Sequence, residues 1–144
     1  MGVGRDRRAC PRRHGPPRRH GLARQAAKNR RIGRVGDRAV LILVTTGARD
    51  DAERLGEALV VEHLAACCSV VPTVHSIYYW EGQLQREHEA LLMVKTLESR
   101  AQAVQEFVQS HHDYALPEVL QITIDGGSPK YMSWLEEQVA KPGR

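Results

Sequence analysis

Two histidines stand side by side at His111-His112, with an aspartate following at Asp113. Imidazole is a borderline ligand suited to copper and zinc, and neighbouring imidazoles supply paired nitrogen donors where a helix ends. Adjacent side chains on a regular helix diverge by about 100°, so joint ligation requires the helix to unwind there. Pro117, shortly beyond, fits such an ending. The plainer alternative is a helix C-terminus whose dipole favours histidine. His63 and His75 stand alone and read as structural or solvated. His88 lies between Glu87 and Glu89 and faces away from both on a strand, and the two glutamates share a face as an ordinary solvated edge would. Cys67 and Cys68 point to opposite faces of a strand, which argues against joint ligation or bridging, and Cys67 reads as packing. Leu91, Met93 and Lys95 share a face, so Lys95 extends an apolar stripe and needs a carboxylate partner or a pocket. Gly126-Gly127 before Ser128 opens a helix, which offers an anion site or simply a turn. No GxSxG, HExxH, P-loop or GxGxxG stands in context, and no enzyme is expected.

The elements that must carry these residues begin at Ala39. AVLILVTT is an apolar run of strand length, as in a buried central strand. Asp50 or Asp51 can cap a helix with Ala52, Leu55, Leu59 and Leu64 as its apolar positions. CCSVVP reads as a short strand stopped by Pro72. VHSIYYW and the stretch ending in LLMVKT form a hairpin turning at Glu81-Gly82. Ser99 caps a helix with Ala101, Val104, Phe107 and Val108 on one side. EVLQITID is a strand, and Ser128-Pro129 starts a last helix with Tyr131, Trp134 and Leu135 inward. The order is β-α-β-β-α-β plus a C-terminal helix. With right-handed crossovers that is an α+β, ferredoxin-like βαββαβ sandwich. The hairpin strands are too long for the body they belong to, and one sheet face is bare, so the fold calls for a homo-oligomer.

Length and charge bound the rest. The 144 residues make one domain, 42% hydrophobic and 26% charged. No apolar run approaches the roughly 18 residues of a membrane span. Residues 1–38 carry 13 Lys/Arg against two acids, a net +11, while residues 39–144 carry a net −7. The basic segment has four Ile/Leu/Val residues and is expected to be disordered. It has no apolar core for a signal peptide and no serine for a transit peptide. It reads as a basic arm for nucleic acid or anionic lipid, as inert, or as non-native with a start placed too far upstream. Three cysteines without a CxxC pair suggest a reducing, cytoplasmic setting.

The runs EHLAACCSVVP, SIYYWEGQLQREHEALLMVKT, SHHDYALPEVL and YMSWLEEQV resemble the CutA divalent-cation tolerance family over essentially all of residues 39–144. The resemblance implies a ferredoxin-like subunit, a tight homotrimer built through the long hairpins, bacterial cytoplasmic residence, and a link to copper and other divalent cations. It implies copper binding at His111 and His112 together with a cysteine at the end of the first strand, a position occupied here by Val44. It also implies that Lys95, Tyr114 and Glu118 line clefts between subunits, with Tyr79 and Trp80 beside them. That set would hold a small anionic ligand or form an intersubunit salt bridge with aromatic packing. Two rival readings are a small-molecule sensor resembling PII-type signalling trimers, which carry a long loop where Glu81-Gly82 stands here, and a nucleic-acid binder working through residues 1–38.

Overall fold

The computed structural model describes residues 37–141, so the expectations for the basic segment lie outside the described residues except at Asp37 and Arg38. Strand β1 (Ala39–Thr46) runs through the middle of a four-stranded antiparallel sheet of order β2-β3-β1-β4. Its Val40, Ile42 and Val44 are fully buried under the two helices that cover one face. Helix α1 (Arg49–Val61) buries Ala52, Leu55 and Leu59 there. Neither Asp50 nor Asp51 caps it. The N-cap is Ala48, and the Thr46 hydroxyl, which donates to the Ala48 carbonyl at 2.8 Å, tightens the corner so that the helix starts at Arg49. The two aspartates fall in the first turn, where the helix dipole favours them. Leu64 lies past the helix, partly buried against the same core.

Strand β2 (Cys67–Trp80) is continuous and does not stop at Pro72. Its pairing with β3 (Gln83–Leu97) slips by one residue between Val71 and Val74. Proline lacks the N–H a ladder needs and is tolerated where such a bulge leaves the backbone unpaired. Glu81 and Gly82 close the hairpin with φ of 49° and 76°, the left-handed pair of a two-residue turn matched to strand twist. No long loop of the kind a PII-like sensor carries stands there. β1 pairs with β3 only from Ala90 to Leu97, so Gln83 to Glu89 is held by β2 alone. That arm of seven residues is about 23 Å long at ~3.3 Å per residue.

Helix α2 (Glu98–His111) buries Ala101, Val104 and Val108 on the covered face. Its N-cap is Leu97, whose side chain is buried, and not Ser99. Ser99 sits in the first turn, where its N–H (3.1 Å) and hydroxyl both donate to the Asp37 carboxylate. Asp37, reaching in from before β1, does the capping. With Arg38 paired to Glu98 at 2.9 Å, the folded body already engages both residues ahead of β1.

Strand β4 (Val119–Thr123) adds the far edge, and helix α3 (Pro129–Ala140) follows, capped by Ser128, which accepts from the Tyr131 N–H at 3.4 Å. Helix α3 lies on the other face of the sheet, packing Leu135 and Val139 on Ala39, Ala66 and Leu97. Leu135 and Val139, with Met132 beside them, make the buried contact, and Tyr131 and Trp134, expected inward, stay 43% and 39% exposed. The rest of that face is open. Leu41, Leu43, Leu91 and Met93 are only partly buried on it, and Leu120 and Ile122, their neighbours on β4, are 53% and 47% exposed.

Candidate functional site

Helix α2 ends at His111, and His112 leaves it in an extended conformation, so the two rings part. His111 stays exposed, stacks on Phe107 with ring centroids 4.0 Å apart, and donates from Nδ1 to the Phe107 carbonyl at 2.8 Å. A carbonyl only accepts, so the proton is on Nδ1 and the Nε2 lone pair is left over. His112 turns inward and is 7% exposed. Its Nε2 donates to the Thr45 carbonyl at 2.7 Å, and its Nδ1 accepts the Tyr114 N–H at 3.0 Å. That fixes the other tautomer, with both nitrogens engaged. An open cleft of about 190 Å³ lies between the start of α1 and the end of α2, lined by Thr46, Asp51, Arg54, Phe107, His111 and Asp113 among others.

A divalent ion held by His111, His112 and position 44 does not fit this arrangement. Val44 is a hydrocarbon side chain at 0% exposure in the helix-side core, His112 has no free nitrogen, and His111 Nε2 alone remains. Among the described residues no group of three or more His, Cys, Asp or Glu is placed to hold a metal. The unwinding the sequence calls for does occur, but it spends His112 on the backbone.

The second set divides among three places within one chain. Tyr114 donates its hydroxyl to Glu89 Oε1 at 3.0 Å, and Glu118 is close enough that Glu89's charge, after partial burial, pushes its carboxyl above the usual range. Lys95 is six residues along β3 from Glu89, about 20 Å away. Among the described residues no carboxylate pairs with it, and it donates to the Ser69 hydroxyl at 2.6 Å. Tyr79, 74% exposed, and Trp80 are near the tip of the arm. Glu89, expected on a solvated edge with Glu87, joins this set: it is 7% exposed, because β1 ends beside it and Tyr114 folds over it.

The remaining candidates resolve simply. Cys68 faces the helices, where burial pushes its thiol up to about 12, and Cys67 lies on the open face 3.2 Å from the Tyr131 hydroxyl. His63, with φ of 51°, contacts the Gln138 carbonyl through Nδ1 at 3.0 Å and ties α1 to α3. His75 is not alone: it stands directly across the ladder from His88, ring centroids 4.4 Å apart. The signal was in the turn, since counting outward from Glu81-Gly82 places residue 75 opposite 88.

A four-stranded antiparallel sheet with two helices on one face and an overhanging hairpin defines a ferredoxin-like protein. The profile of the CutA1 divalent ion tolerance proteins matches residues 40–138, and the chain belongs to that family. It is 40% identical over 98 residues to the rice protein named "Protein CutA 1, chloroplastic", covering 68% of this chain and 55% of that protein. It thus spans little more than half the length of that plant relative. It is 40% identical over 97 residues to the divalent-cation tolerance protein CutA of Citrobacter koseri, covering 67% of this chain and 84% of that one. Among solved structures, the periplasmic divalent cation tolerance protein CutA of Archaeoglobus fulgidus superposes with a TM-score of 0.68 at 29% identity, over 70% of this chain and 98% of that one. Chloroplastic and periplasmic relatives overturn the cytoplasmic expectation. That expectation rested on the scarcity of cysteines, which reports the lack of disulfide staples and says nothing of an address, and on bacterial residence implied by the resemblance, which the family does not hold to.

Proposed function

We propose that this chain serves tolerance of divalent cations as a homotrimer that catalyses no reaction, with the cation as cargo and not as a resident cofactor. The observation that carries the reading is the family match over residues 40–138. The open apolar face and the unsupported arm favour the trimer, because both expose groups that a neighbouring copy would cover. In such an assembly the arm of one copy brings Tyr79 and Trp80 toward Tyr114 and Glu118 of the next, making a cleft from residues too far apart within one chain, with Lys95 as its cation. Copper or another divalent ion meets the His111-His112 turn weakly, through His111 Nε2, and His112 holds the turn in place.

Light scattering at micromolar concentration is expected to give a mass near 48 kDa, three times the 16.2 kDa chain, and removing residues 1–36 is expected to leave it unchanged. A monomer overturns the trimer. Calorimetric titration with copper(II) is expected to show weak binding that falls in His111→Ala. Val44→Cys is expected to leave it unaltered, because position 44 lies inside the helix-side core.

A further inference from the structure

We propose that His75 and His88 form a second cation site on the hairpin arm, a two-imidazole chelate for a borderline divalent ion such as zinc or copper(II). The two residues oppose each other in the β2–β3 ladder, both are exposed in the single chain, and their rings approach to 4.4 Å between centroids at a tilt of 53°. Five histidines lie among the described residues, and the other three each engage a backbone carbonyl through one ring nitrogen. Neither ring of this pair has a hydrogen-bond partner among the described residues, so each is free to present either nitrogen's lone pair.

Neutral imidazole is a good donor to zinc and copper, with metal–nitrogen bonds of about 2.0–2.1 Å. Two rings at this separation can turn a nitrogen each toward one ion without moving the backbone. The ladder fixes their distance beforehand, and the two-residue turn fixes the register, so little ordering is needed on binding. The remaining coordination positions go to water. Arg86, the next residue of β3 on this face, is the nearby charge that opposes a cation, and it keeps the site modest. The site shares no residue with the His111-His112 turn and stands or falls without it.

Zinc titration of the full chain, followed through the histidine Cε1–H resonances, tests the proposal. The His75 and His88 signals are expected to move together at one stoichiometric equivalent, separately from that of His111. In His75→Gln the His88 signal is expected to need about tenfold more zinc, because a chelate has become a single donor; His88→Gln is expected to do the same to His75. In His111→Ala both responses are expected to persist. Signals of His75 and His88 that stay still in excess zinc overturn the site. So does a His88 response of equal midpoint in His75→Gln, which would make the two rings independent single ligands. Glutamine keeps the exposed strand polar, and an unchanged amide spectrum outside the arm checks that each variant is folded.

Discussion

His111 and His112 are neighbours in sequence that part in space, whereas His75 and His88 are thirteen residues apart and meet with ring centroids 4.4 Å from each other. The first pair sits where a helix stops. One ring caps the last turn by donating to Phe107, and the other turns under to hold Thr45 and Tyr114, so three of the four nitrogens are committed to the protein's own backbone. The second pair sits on a regular ladder that satisfies its own backbone, and its nitrogens remain free. Adjacency in sequence therefore brought structural work, and register brought donors together. A helix end has orphan carbonyls and amides that recruit any polar side chain nearby, while mid-strand side chains are asked for nothing by the backbone.

His112 carries the structural half of this contrast. If its ring is structural, His112→Ala leaves the Thr45 carbonyl and the Tyr114 N–H without their partner and removes a ring that is 7% exposed. Denaturant unfolding is expected to show a loss of about 2–4 kcal/mol. His75→Ala and His88→Ala remove exposed rings and are expected to stay within about 0.5 kcal/mol. Equal losses at both places would mean that the arm, too, depends on its histidines for stability.

How much of this was legible in the sequence follows from the same physics. The strand at Ala39, the Glu81-Gly82 turn and the Ser128-Pro129 helix start each rest on a local requirement, and each stands where the residues place it. The failures come from partners distant in sequence. Ser99 looked like a cap, but Asp37 reaches it from more than sixty residues away. Pro72 looked like a stop, but the strand absorbs it in a bulge because β3 continues past it. Of the site, Lys95 stands out from its own apolar stripe, while the roles of Tyr79, Trp80, Tyr114 and Glu118 come only with the family resemblance. Glu89 was not, since its burial depends on where β1 ends and on Tyr114 folding back over it.

Tyr114 belongs to the locked side. Its N–H holds His112 while its hydroxyl holds Glu89, so it links the helix end to the root of the arm. Tyr114→Phe keeps the backbone bond and removes the hydroxyl from a carboxylate that is 7% exposed. The expected cost is about 1.5 kcal/mol, the lower end for a hydrogen bond to a charged group. Copper binding at His111 is expected to be unchanged, since that ring is anchored by Phe107. A simultaneous loss of copper binding would show that the turn behaves as one unit.

The smallest effect is expected from Glu118, and it reads the charge at the root of the arm. Its carboxyl is pushed above the usual range, first by partial burial and then by the charge of Glu89. A group whose folded value lies above its unfolded value, about 4.3 for glutamate, binds more protons in the folded chain across that window. Stability therefore falls as pH rises from the ordinary glutamate value through the raised one. The carboxylate is partly exposed, so solvent screening limits the change to about 0.5 kcal/mol or less. Glu118→Gln is expected to remove this slope. Glu89→Gln is expected to reduce it without abolishing it, because the larger cause, burial, remains. Unfolding free energies measured every half unit from pH 4 to 7 in the three chains check the order. A slope that survives unchanged in Glu118→Gln would assign it to another group, and one abolished by Glu89→Gln would make the repulsion between the two carboxylates, and not burial, the dominant cause.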